Sequence, residues 1–200
     1  VLLQKIRAHL RGSLASGFAP SSRDAAVLMP IMESQKGPLL VLTRRAAHMN
    51  THANEVAFPG GKVEPEDKSL IATALRESFE EIALPVDHVE VIGAMKSATS
   101  KHGLTVTPFI GVVPEGVGLL ANRNELESIF YVPLQFFMDN PPTGVYEVMH
   151  QGHLYHAACY DYEGYVIWGL TAYFIADLFN QVFELDYDLS IIRAQKHRKK

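Results

Sequence analysis

The sequence predicts an α+β fold, an α/β/α sandwich built on a mixed β-sheet, and three observations predict it. Short apolar stretches of strand length recur along the 200 residues. Three stretches carry apolar residues at helical spacing instead. No internal repeat, low-complexity run or linker interrupts the chain, so a single domain over residues 1–200 is expected.

Taken in order, Leu2, Leu3, Ile6 and Leu10 recur at helical spacing before Gly12, so Val1–Arg11 reads as a first helix. Ala25–Ile31 and Leu39–Thr43 read as strands around a polar turn at Ser34–Pro38. Glu55–Phe58 is a short strand that stops at Pro59-Gly60-Gly61, and Asp67–Ile82 is the second helix. Val89–Met95 and Val106–Val113 follow as strands. Glu125–Phe130 suits either type, and Pro133–Met138 suits a short helix. Val145–His150 and His153–Tyr160 flank Gln151-Gly152, a hairpin signal. Gly169–Phe183 is a final helix.

Composition excludes several roles. The formal charge is −4 with 20% charged residues, which gives no electrostatic footprint for nucleic acid or a membrane surface. The basic end Lys196–Lys200 reads as solvated chain. The single cysteine, Cys159, precludes an intrachain disulfide and reads as a buried strand residue. No apolar run reaches the length of a membrane span, and the start lacks a signal-peptide core, so a cytoplasmic location is expected. Tyr and Phe are abundant after residue 129, which suits a homodimer interface as well as a core.

The chemistry concentrates in the second helix. At about 100° per residue, Ile71, Leu75, Ser78, Phe79 and Ile82 share one face, the expected core face. Glu77, Glu80 and Glu81 share another, spaced i, i+3 and i+4. Three converging carboxylates repel one another, and they form the oxygen-rich setting that Mg²⁺ or Mn²⁺ prefers. A solvated acidic face is the plain alternative. Gly60-Gly61 shifts the balance, because glycines before such a helix allow close approach of a phosphate to the backbone. Together these features make a site for a metal-bound diphosphate.

The segment resembles the signature of Nudix hydrolases, which reads G, five residues, E, seven residues, then R-E-U-x-E-E-x-G-U with U aliphatic. Here the box runs over about 60–84. Gly61 takes the glycine place, Asp67 the first acidic place, and Arg76-Glu77-Ser78-Phe79-Glu80-Glu81-Ile82-Ala83-Leu84 follows. The departures are Asp at 67, eight residues before Arg76, Ser78 for an aliphatic and Ala83 for the late glycine. Leu42-Thr43-Arg44-Arg45 with His52-Ala53-Asn54-Glu55-Val56-Ala57-Phe58-Pro59-Gly60-Gly61 is similar to the segment before the box in coenzyme A pyrophosphatases. That subfamily carries the same one-residue insertion. Asn54 stands where it usually has glycine, and Asn tolerates positive φ better than most residues. His102–Pro108 and Ile167–Ala172 also look like that subfamily.

The resemblance implies metal-dependent hydrolysis of coenzyme A or its derivatives to 3′,5′-ADP and 4′-phosphopantetheine, with Mg²⁺ or Mn²⁺ as cofactor and a small-molecule nucleotide as substrate. It implies Glu77, Glu80 and Glu81 as metal ligands, helped by a carbonyl of Gly60 or Gly61, and Arg76 as their orienting partner. Glu125, then Glu127, is the candidate distal acid, and Glu77 ranks first as general base. Arg44, Arg45, His52, Gly60, Gly61 and His102 are candidates for substrate contact. Trp168 reads as packing before base stacking. The alternatives are a broader nucleoside-diphosphate hydrolase acting on ADP-ribose or NADH, a non-catalytic binding module of the same fold, and a plain acidic helix.

Overall fold

The computed structural model describes residues 1–14, 21–49, 52–150, 153–192 and 195–196. It divides into two compact units, Val1–Leu134 and Gln135–Lys200.

The first unit opens with α1 (Leu2–His9), then β1 (Asp24–Met32) and β2 (Leu39–Arg45). Next come β3 (Val56–Ala57), β4 (Gly60–Lys62) and α2 (Leu70–Ile82). The strands β5 (Glu90–Ala94), β6 (Ala98–Thr99), β7 (Thr105–Val113) and β8 (Leu126–Pro133) complete the sheet. Its order is β3-β2-β1-β7-β5, with β4 on β1, β6 on β7 and β8 on β2. The β1–β7 pair is parallel and the others are antiparallel, which makes the expected mixed sheet. β1 and β7 are nearly continuous runs of buried residues, as strands covered on both faces must be.

α2 packs against β1 and β4. Ala74 and Ile82 join Ala26, Leu28, Val41, Phe109 and Leu126 in one apolar cluster. Ser69 caps the helix, its hydroxyl accepting from Ala72 N–H at 3.1 Å. Asp67 therefore lies outside the helix, not at its start. The inward face is also rotated from the periodic reading. Thr73, Ala74, Ser78, Glu81 and Ile82 are buried, whereas Phe79 is 55% exposed. Ser78 is accommodated in the core by donating back to Ala74 O at 2.7 Å. α1 buries Ile6, and Leu10 and Ser13 close on Gly93 of β5.

α2 ends at Ala83, which adopts φ 52°, ψ 32° where the signature has glycine. Ala83 N–H donates to Phe79 O at 2.9 Å, the single bond of an αL cap. A β-carbon is disfavoured in that left-handed conformation, so Ala83→Gly is expected to stabilise the protein by about 1 kcal/mol, read as a shift in the urea midpoint.

The second unit contains the rest of α3 (Leu134–Asp139), then β9 (Gly144–His150), β10 (His153–Tyr162) and β11 (Tyr165–Ile167). After these come α4 (Gly169–Phe183), α5 (Leu189–Ile192) and β12 (Gln195–Lys196). The hairpin expected around Gln151-Gly152 is present in the β9–β10 register, with His150 opposite His153; the two turn residues lie outside the described residues. Cys159 is buried on β10, and the Trp168 ring meets Tyr146 with centroids 4.6 Å apart. The basic stretch 197–200 lies outside the described residues. Among the described residues, no helix is long and apolar enough to cross a membrane.

Candidate functional site

The site is built where β4, α2 and the segment before β8 meet. Gly60-Gly61 is not the loop expected from its glycines. It forms β4, with Gly61 opposite Ala26 and Gly60 opposite Val27 of β1. Gly60 has φ 154°, and a β-carbon there would run into the β1 backbone at Ala26 and Val27. A β-carbon on Gly61 would occupy the position of the Glu77 carboxylate. The pair of glycines thus lets a helix carboxylate lie against a strand.

Arg76 organises the outer edge. Its Nε donates to Asp67 Oδ1 at 3.0 Å and its Nη2 to Asp67 Oδ2 at 2.9 Å, a two-pronged fork. Nη2 also donates to Lys62 O at 3.1 Å, tying the helix to β4. Nη1 lies 3.2 Å from Glu77 Oε1 and donates to Glu80 Oε2 at 3.1 Å. Asp67 further accepts from Thr73 Oγ1 and Glu64 N–H, each at 2.9 Å. The Arg76 fork, reinforced by these donors, holds its carboxyl down at about 2. Asp67 is an anchor for Arg76, reaching it from outside the start of α2.

Glu77 and Glu81 face inward. Glu77 is half-buried, and that burial outweighs Arg76 and pushes its carboxyl up. Glu81 is 4% exposed. Its Oε2 accepts from Gly60 N–H at 3.1 Å, and its Oε1 lies 3.7 Å from Arg45 Nη1. Burial pushes this carboxyl up to about 8, with Glu77 and Glu125 adding repulsion and Gly60 N–H and Arg45 opposing it. Glu125 raises the proton affinity of both glutamates and so belongs to the same constellation. The backbone sets it there: Asn122 N–H donates to Glu81 O, Glu125 N–H to Asn122 O, and Ala46 N–H to Glu125 O. Glu127 is turned to Arg44, 3.1 Å away, at an exposed position.

Glu80 is exposed and shares Arg76 Nη1 with Glu77, and its charge, like that of Glu125, raises the Glu77 carboxyl. Among the described residues, no group of three or more His, Cys, Asp and Glu is arranged to hold a metal ion. The donor chemistry still suits a hard dication. Both desolvated carboxylates, with further acidic charge nearby, are pushed up from the ordinary carboxylate value, and such oxygens gain most from a divalent charge.

His52 and His102 are brought together, ring centroids 5.2 Å apart, edge to face. His52 Nδ1 lies 2.6 Å from Glu55 Oε2, and Lys101 Nζ lies 3.5 Å from Glu55 Oε1. Sequence reasoning missed Glu55 and Lys101, which lie far apart in the chain and carry no spacing signal. Asn54 has φ 61°, the conformation expected of a residue in a glycine's place.

The family model for the NUDIX domain matches residues 22–147. A protein of Photorhabdus laumondii described as the uncharacterized Nudix hydrolase NudL is 43% identical over 165 residues, covering 82% of this chain and 88% of that protein. Its Yersinia pestis counterpart is 41% identical over 165 residues, 82% of each chain. Among solved structures, the Nudix hydrolase RenU of M. smegmatis shares 20% identity at a TM-score of 0.50, over 69% of this chain and 88% of that one. A MutT/nudix family protein from Enterococcus faecalis shares 14% identity at a TM-score of 0.50, over 86% of this chain and 65% of that one. At these identities the structural likeness is one of fold.

Proposed function

The chain belongs to the Nudix hydrolase family, enzymes that hydrolyse acid anhydrides with the help of divalent cations, and on that premise we propose that it cleaves the diphosphate bond of coenzyme A or its derivatives. The products are 3′,5′-ADP and 4′-phosphopantetheine. The observation that carries the hydrolytic part is that Glu77 and Glu81 both lie against a strand of two glycines, Glu77 over Gly61 and Glu81 on the Gly60 N–H. The coenzyme A part rests on the similarity of Leu42–Arg45 and His52–Gly61 to that subfamily's segment.

In this reading Glu77 and Glu81 would hold Mg²⁺ or Mn²⁺, and Glu80, which shares Arg76 Nη1 with Glu77, is the further ligand candidate. A bound dication supplies positive charge to the diphosphate and lowers the pKa of a bound water. Arg76 positions Glu77, and Asp67 positions Arg76. Glu77, kept partly desolvated, is the first candidate to take a proton from the attacking water, and Glu125 is the second. Arg44, engaged by Glu127, is the weaker candidate for a substrate phosphate. His52 and His102 form one polar wall available to the nucleotide.

Incubation with coenzyme A and Mg²⁺ or Mn²⁺ should release 3′,5′-ADP, detected by ion-exchange chromatography, and EDTA should stop the release. Intact coenzyme A beside cleaved ADP-ribose or NADH would shift the reading to the broader nucleoside-diphosphate hydrolase. No cleavage of any of them would favour a binding module.

A further inference from the structure

Arg45 closes β2 with its side chain 20% exposed. Its Nη1 stands 3.7 Å from Glu81 Oε1, beyond hydrogen-bond range but well within Coulomb attraction. Its Nε is buried and has no hydrogen-bond partner among the described residues. The adjacent Arg44 is a useful contrast, since its Nε lies 3.1 Å from Glu127 Oε2. Arg45 is thus a largely buried cation with one loose ionic contact and one unfilled donor, and buried donors in folded proteins are ordinarily filled.

Glu81 shows the complementary deficit. Its Oε2 accepts from Gly60 N–H at 3.1 Å, while its Oε1 faces the Arg45 guanidinium from too far for a hydrogen bond between them. The guanidinium occupies the electrostatic place a divalent cation would take, at a distance that leaves the pair separable.

We propose that Arg45 is a place-holding cation for Glu81, displaced when a divalent cation binds and released toward the phosphate oxygens of an anionic substrate. This deepens the metal-site reading above and rests on it. Exchange is favoured because a dication and a guanidinium compete for one carboxylate, and the coupling between them is reciprocal. The released fork carries the donor geometry that matches phosphate, and the unfilled Nε completes it. Cation binding and substrate binding then become linked through one side chain.

The test compares wild type, Arg45→Gln and Arg45→Lys, each first checked for a cooperative thermal transition. Mn²⁺ affinity is read from the EPR signal of free Mn²⁺, and ADP affinity at saturating Mn²⁺ by calorimetry. Arg45→Gln should bind Mn²⁺ about 10-fold more tightly, since a competing charge is gone, and should bind ADP about 10-fold more weakly. Arg45→Lys keeps the charge without the fork. It should stay within about threefold of wild type for Mn²⁺ while losing ADP affinity, and it decides the matter if Arg45→Gln does not fold. Unchanged or weaker Mn²⁺ binding in Arg45→Gln would overturn the exchange, as would full ADP affinity in both variants. Wild type that takes up no Mn²⁺ would overturn the metal-site reading itself.

Discussion

Glu81→Gln is expected to lower turnover by about 10²-fold or more and, in the same protein stripped of metal, to raise stability at alkaline pH. The two effects have one cause. Glu81 is 4% exposed with Glu77 and Glu125 nearby, and its carboxyl sits at about 8 against an ordinary value of 4.5. Between those values the folded chain holds a proton that the unfolded chain has released. Stability therefore falls as pH rises across that window, and the loss is complete above about pH 8. The full loss is on the order of a few kcal/mol. Glutamine mimics the protonated acid and does not titrate, so the variant should keep a shallower profile, with the smaller slope left by Glu77. Thermal midpoints in EDTA from pH 5 to 9 check this. Parallel curves for wild type and variant would remove Glu81 as the strained group. Excess Mn²⁺ should restore wild type at alkaline pH and leave the variant nearly unmoved.

That strain was hidden from the sequence for a definable reason. Helical periodicity ranks residues by polarity, so it sent Phe79 inward and left Glu81 on an outer acidic face. The structure does the reverse with Phe79, 55% exposed, and Glu81, which is buried. A site helix must turn a carboxylate toward the sheet, and apolar periodicity contains no term for that. The strands β1, β2 and β7 and the helix α4 were legible because their apolar runs are long. The short pieces β6, β11 and β12 are held by neighbours, not by their own residues, and left no signal.

Asp67 shows what spacing can and cannot give. Its distance from Arg76 matches the insertion of the resembling subfamily. Its work as the two-pronged partner of Arg76 depends on how the segment before α2 lies against the helix's second turn, which only the structure reveals. Glu125 was legible as a candidate acid. Its separation from Glu127 was not, because that choice follows from Arg44 claiming Glu127 across the β2–β8 pair.

The glycines supply the second large effect, and a contrast between neighbours makes it informative. Gly61→Ala places a methyl group where the Glu77 carboxylate now lies. The group that must yield is the end of a flexible side chain, so the fold should survive within about 1 kcal/mol. Turnover should fall by about 10²-fold or more, because displacement of a reacting group by an ångström has that consequence. At Gly60 the obstruction is the backbone of Ala26 and Val27, and φ is 154°, so nothing flexible can yield. Gly60→Ala should therefore lower stability by about 2–4 kcal/mol and should also disturb the N–H that Glu81 accepts. Chemical denaturation and initial rates on both variants separate the cases. A Gly61→Ala protein with wild-type turnover would mean that Glu77 does its work elsewhere or does none. A Gly61→Ala protein that unfolds like Gly60→Ala would mean that the strand, and not the carboxylate, is what this glycine protects.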